Sequence, residues 1–219
     1  MVSSLDKNVI IYLYKCLLRR RQALQFLKPI DSNTMPFDEA IGALVAVMHP
    51  DDICEADKQM RVSRAKHIDI YVDASARCHD NPEVPNKVSV SFIICEDDRV
   101  IYEKAEYLGS YITLNIQDKP IILDITVNVA EYMALIKALE FVVDNDFKGT
   151  VTVYSDSLLI VNQMNFTSST RAPKLVVLRD YARRLKDRLR DVQIVHLDRE
   201  QNSEAVALAR TAIGEEESE

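Results

Sequence analysis

With 219 residues, 47% of them hydrophobic and 28% charged, the chain has the balance of a folded globular protein and room for one ordinary core plus an appendage; a disordered or membrane-embedded polymer is excluded. A formal net charge of -7 at pH 7 removes any global attraction to polyanions, so a nucleic-acid site would have to be a local basic patch or be built on bound cations. Cys16, Cys54, Cys78 and Cys95 form no CxxC pair and have no histidine at ligand spacing, which points to free thiols in a reducing compartment, the cytoplasm or the nucleus.

Residues 1–65 read as a helical N-terminal extension. "VIIYLYKCLLRRRQALQFL" is long and Leu-rich, Pro36 opens a second helical stretch, and Pro50 with two acids opens a third. The apolar run Val9 to Tyr14 is too short to span a bilayer, and the basic cluster Arg19 to Arg21 follows it, the reverse of a secretory signal. No membrane is therefore expected. The extension carries no chemical motif and reads as an arm for a protein partner or for self-association.

From Ile68 the pattern changes. "IDIYVDAS", "KVSVSFIICED" and "RVIYEKAEYL" are rich in β-branched residues and are joined by short polar links, which predicts three strands in an antiparallel meander. There follow an amphipathic helix "NVAEYMALIKALEFVVDN", a strand "TVTVYS", a short helix "LLIVNQMN", a charged helix "LVVLRDYARRLKDRLR", a strand "VQIVHL" and a last helix "SEAVALARTAI". This order predicts an α/β domain over residues 66–213, a mixed sheet flanked by helices, with an acidic tail at 214–219.

Three acids stand apart from the packing pattern. Glu131 shares its helical stripe with Leu135, Ala138, Leu139 and Val142, which bury against the sheet. Asp73 and Asp156 each follow a strand tyrosine by two residues, in "IYVDAS" and "VYSDSL", and leave the sheet at a strand end. If those strands are neighbours, both carboxylates reach one edge and a covering helix can bring Glu131 to them. Converging carboxylates repel, and a hard divalent cation with oxygen ligands is the simplest neutraliser. An ordinary N-cap is the competing reading for Asp156.

"IYVDASA", "TVNVAEYMALIKALE", "VTVYSDSLLIVNQ" and "VHLDREQNSEAVALA", in this order and spacing, resemble the ribonuclease H type 1 family, especially its shorter bacterial, archaeal and reverse-transcriptase-like members. The resemblance runs from about Ile68 to Ile213. It implies a five-stranded mixed sheet, a centre for two Mg²⁺ (or Mn²⁺) ions held by Asp73, Glu131 and Asp156 as catalytic residues, and hydrolysis of the RNA strand of an RNA/DNA hybrid. Ser75, Thr126, Asn128, Arg171 and Lys174 are the candidate substrate contacts. Between Arg171 and Arg190 eight basic residues face two acids, a local surplus suited to phosphates, while ion pairs on a solvated helix face would account for the same pattern.

The chain also departs from that family. Ala74 follows Asp73 where the family has glycine, "RCHDNPEVPNK" replaces a glycine-rich link, Val127 and Leu158 replace polar residues, and "SYITLNIQDKPIILDI" is an extra segment. The family's fourth acid falls on Val206, and Glu204, about 200° away around the helix, is a poor substitute. His196 is expected on a strand, in a structural role. The sequence thus supports a metal-dependent endonuclease first, a non-catalytic or weakened binding module second, and a nuclease for another nucleic acid third.

Overall fold

A computed structural model describes Glu55, Lys58, Gln59 and residues 61–77, 87–109, 111–116 and 119–214. The helices expected before Arg61 otherwise lie outside the described residues, as does the tail beyond Gly214. Contacts divide the chain into two units, Met1–Arg61 and Val62–Glu219. In the second unit the core begins ahead of the first strand, because Val62 and Ala65 are buried in it.

The strands are β1 (His67–Arg77), β2 (Lys87–Glu96), β3 (Arg99–Tyr107), β4 (Tyr111–Ile116), β5 (Lys119–Asp124), β6 (Thr150–Ser155) and β7 (Asp191–His196). The helices are α1 (Val127–Asp144), α2 (Leu158–Met164), α3 (Pro173–Asp187) and α4 (Ser203–Ala212), the last preceded by a 3₁₀ turn at Arg199–Asn202. Five strands form one sheet in the order β3-β2-β1-β6-β7. β1 to β3 are antiparallel, whereas β1–β6 and β6–β7 are parallel. Parallel neighbours need long connections, and α1, α2 and α3 lie in them.

The Asp97-Asp98 link turns β2 into β3 with both residues in the left-handed region, φ 48° and 60°, the backbone of a two-residue hairpin turn whose twist matches the strands. Gly149 precedes β6. A Cβ there would run into the Lys66 carbonyl, which accepts the Thr150 N–H at 3.0 Å. The extra segment between β3 and α1 is a β-hairpin of its own, β4–β5, in a separate two-stranded sheet. Its inner face, Ile112, Leu114 and Leu123, joins the main core and its outer face exposes Tyr111 and Ile122.

Alternation along β1 and β2 gives the sheet two unlike faces. Ile68, Ile70, Val72, Val88, Val90, Phe92 and Ile94 enter the apolar core with α1, an 18-residue helix buried on most of its circumference. Ser89, Ser91, Ile93 and Cys95 turn the other way, under α4. Ala205 and Ala209 are fully buried there, small enough for the helix backbone to lie close to the strand. The Ser91 hydroxyl donates to the Ala205 carbonyl at 2.7 Å, and that of Ser89 donates to the Ala209 carbonyl.

Candidate metal centre

The register explains the repeated phrase. Parallel pairing sets Tyr71 opposite Tyr154 and Val72 opposite Ser155, so the acid two residues after each tyrosine leaves the sheet at the same end of adjacent strands. The two tyrosine rings stack with centroids 5.0 Å apart. β1 continues to Arg77 in pairing with β2, so Asp73 sits within its strand rather than at the strand end expected from sequence; it lies one residue beyond the last β6 pair.

Glu131 comes from the opposite face. Thr126, extended at φ -113° and ψ 168°, caps α1 by accepting the Val129 N–H at 3.3 Å, and Glu131 follows just after the first turn. One carboxylate oxygen from each of Asp73, Glu131 and Asp156 lies within 4.8 Å of the others. Asp73 is 0% exposed and Glu131 9%. Both oxygens of Asp73, Oε2 of Glu131 and Oδ1 of Asp156 have no hydrogen-bond partner. Four buried, unpartnered carboxylate oxygens are costly. One oxygen from each acid lies close enough to the others for the cluster to hold a hard cation.

Titration behaviour follows from this setting. Burial first, and then the Asp156 charge, push the Asp73 carboxyl up to about 7, against the pull of Arg199 and Arg210. Burial, then Asp73, then Asp156 push Glu131 up to about 8, against Arg199. Arg199 lies beside the three acids and is not among the residues that the sequence singles out. Its Nη1 donates to Asp156 Oδ2 at 2.9 Å. The signal was the "REQN" after the last strand, which builds the 3₁₀ turn.

The five candidate substrate contacts fall in different places. Asn128 is exposed, one helical turn before Glu131 and on its side of α1, and Thr126 is committed to the cap. Ser75 is half-buried on β1, on the Asp73 side of the strand. Arg171 is exposed before α3, while Lys174 donates to Asp124 of the β4–β5 hairpin at 2.7 Å. No described hydrogen bond or ion pair links Arg171 or Lys174 to the three acids. Within the basic helix, Arg183 donates to the Gln163 carbonyl at 2.6 Å and lies 3.8 Å from the Phe166 ring centre, and Arg179 pairs with Asp180. Part of the basic surplus is therefore held by the fold itself.

His196 ends β7, exposed. Val206 is 7% exposed in α4, and Glu204 lines a different cavity of about 280 Å³ with Tyr71, Cys95 and Asp98.

Comparison with known proteins gives one consistent relationship. A family model described as "Reverse transcriptase-like" matches residues 112–212. The structure of LC11-RNase H1, isolated from compost by a metagenomic approach and solved in complex with RNA/DNA hybrid, is 30% identical, covers 67% of this chain and 96% of its own, and superposes with a TM-score of 0.55. RNase H1 of the halophilic archaeon Halobacterium salinarum is 28% identical over 68% of this chain and 98% of its own, with a TM-score of 0.56. The N-terminal RNase H domain of a Mycobacterium tuberculosis protein, 23% identical with a TM-score of 0.55 over 68% of this chain and 95% of that one, shares the fold.

Proposed function

Because the chain belongs to the ribonuclease H type 1 family, we propose that it is a divalent-metal-dependent endonuclease that hydrolyses the RNA strand of RNA/DNA hybrids. The observation that carries this reading is the set of four unpartnered, buried carboxylate oxygens where β1, β6 and α1 meet. The donor set fits Mg²⁺ or Mn²⁺, both of which take oxygen ligands, and it offers no thiolate or imidazole to a softer metal. A bound divalent ion would supply the concentrated charge that polarises the scissile phosphate and favours in-line attack by water.

Within that reading Asp73, with both oxygens free, is the central ligand, and Glu131 and Asp156 flank it. In the hydrolysis a water oxygen bonds to phosphorus as the bond to the 3′ oxygen breaks, leaving a 5′-phosphate and a 3′-hydroxyl. Asn128 and Ser75 would meet 2′-hydroxyls in the wide minor groove that marks the RNA strand. Arg171, and Lys174 once released from Asp124, would hold backbone phosphates. The relative LC11-RNase H1 was solved with an RNA/DNA hybrid, which supports the choice of substrate.

The test is a gel assay of labelled RNA/DNA hybrid beside duplex RNA and duplex DNA, with and without Mg²⁺ or Mn²⁺. Cleavage of the RNA strand of the hybrid alone, and only with metal, is expected. Val206 favours a second reading, a binding module with weakened chemistry. Hybrid retained in a mobility-shift assay but never cut would establish that one.

A further inference from the structure

We infer that the Arg199 guanidinium is the second cation of this centre, so that the three acids hold one divalent ion and not a pair. The inference rests on the metal-centre reading above and sharpens it. Its first support is charge. Three ionised carboxylates and the one guanidinium ion-paired with them leave two negative charges without a direct partner, which is the charge of a single divalent ion. Two ions would leave an excess of positive charge beside the buried carboxyls of Asp73 and Glu131, with only Arg199 itself open to solvent.

Ligand supply agrees. Arg199 already occupies Asp156 Oδ2, and the oxygens left free are the two of Asp73, Oε2 of Glu131 and Oδ1 of Asp156. One oxygen from each acid, with waters and a phosphate oxygen, would fill about six positions around one ion, while a pair would need roughly twice as many. Val206, nearly buried in the first turn of α4, offers nothing further.

Arg199 is also held in place. Its 3₁₀ turn is fixed by a capping box between Asp198 and Gln201. Asn202, at the end of the same turn, donates to the Val72 carbonyl at 2.9 Å, next to Asp73 in β1. The turn is thereby tied to the strand that carries the central acid. A guanidinium keeps its charge at any pH of interest and presents several donors, so one N–H can stay on Asp156 while another faces a phosphate oxygen.

The experiment is titration of the full chain with Mn²⁺ by calorimetry, with free Mn²⁺ followed by electron paramagnetic resonance, on the natural protein, Arg199→Gln, Arg199→Lys and the double variant Arg199→Gln/Val206→Asp. One ion per chain is expected for the natural protein and for Arg199→Lys, which keeps the charge. Arg199→Gln should hold its ion about tenfold more tightly, since a like charge a few ångströms away is gone. The double variant should take up a second ion. Two ions in the natural protein, or an Arg199→Gln titration identical to it, would overturn the inference while leaving the metal-centre reading in place. No binding by the natural protein at any Mn²⁺ concentration tested would overturn both.

Discussion

The two faces of the main sheet solve burial in opposite ways. In the core around α1, β1 and β2 contribute apolar side chains from Ile68 to Ile94, and the helix contributes Ala134, Leu135, Ala138, Leu139 and Val142, all at most 1% exposed. Toward α4 the strands present serines that donate to helix carbonyls, and stacked Tyr71 and Tyr154. The first face gains its stability from apolar area and tight packing, the second from satisfied hydrogen bonds over small residues. The acids sit where the two regimes meet. Asp73 belongs by alternation to the α4 side and Glu131 to a helix on the other, and they meet because β6 pairs with β1 no further than Val72. Stability and chemistry should therefore respond to different substitutions.

The largest separation is expected at Asp73. Asp73→Asn removes the ligand with two free oxygens, and loss of several kcal/mol of electrostatic help corresponds to a fall of about 10³-fold or more in hybrid cleavage. The same change removes a buried charge that repels Asp156 and Glu131, so the metal-free variant should melt no lower than the natural protein. Parallel measurement of cleavage rate and metal-free melting temperature checks both halves. A variant that cuts normally would put the chemistry elsewhere.

Leu139→Ala should do the reverse. Leu139 of α1 is fully buried in the main core, and truncation leaves a cavity worth about 2–5 kcal/mol of stability. Denaturant unfolding should show that loss, while Mn²⁺ affinity of the folded fraction stays where it was. A variant as stable as the parent but impaired in metal binding would mean that the apolar face and the acid cluster are not separable.

Metal-free stability should also depend on pH in the direction opposite to most acidic proteins. Asp73 and Glu131 have folded-state values raised to about 7 and about 8, so the folded state binds their protons more tightly than the unfolded chain does. Their contribution is fully present below the unfolded values near pH 4 and is lost as pH rises through about 7 and 8. The groups facing them are Asp156, which strengthens the effect, and Arg199 and Arg210, which oppose it. Unfolding without metal should therefore become easier from pH 6 to pH 9, and saturating Mn²⁺ should flatten the slope. A metal-free protein equally stable across that window would show that these carboxyls are ionised and stabilised some other way.

The strands of the main sheet were legible in sequence because each carries a period-2 or continuous apolar run closed by polar links, and Glu131 was legible because a carboxylate on a buried stripe is anomalous. The β4–β5 hairpin was not read as strands, although "YITLNI" alternates, because nothing local says whether an extra segment packs or protrudes; Ile112 and Leu123 settle that only through contact with a core assembled from distant residues. Arg199 escaped for the same reason. An arginine in a polar turn is unremarkable until β7 places that turn beside the end of β6, and only then does its guanidinium fall on Asp156. For the basic helix the surplus is plain in the sequence, but which of its residues are free is not: Arg183 and Arg179 are engaged by Gln163, Phe166 and Asp180.

Lys174 gives the smallest and most discriminating effect, because it stands between the two accounts of that basic surplus. Its ammonium donates to Asp124, which is exposed at the end of β5 and held below the usual carboxylate range by this hydrogen bond and charge. An exposed pair of this kind adds little to stability, so Lys174→Ala should leave the melting temperature unchanged within error. If the lysine turns to a phosphate when hybrid binds, the same variant should weaken binding equally for all sequences and lower the slope of log affinity against log salt by about one. Asp124→Asn provides the complement. It releases the lysine without removing it, so hybrid should bind more tightly at low salt than to the natural protein, with an unchanged salt slope. Should both variants bind hybrid as the parent does, Lys174 serves only to pin the hairpin to α3, and the grip on the backbone must fall to Arg171 and the exposed end of the basic helix.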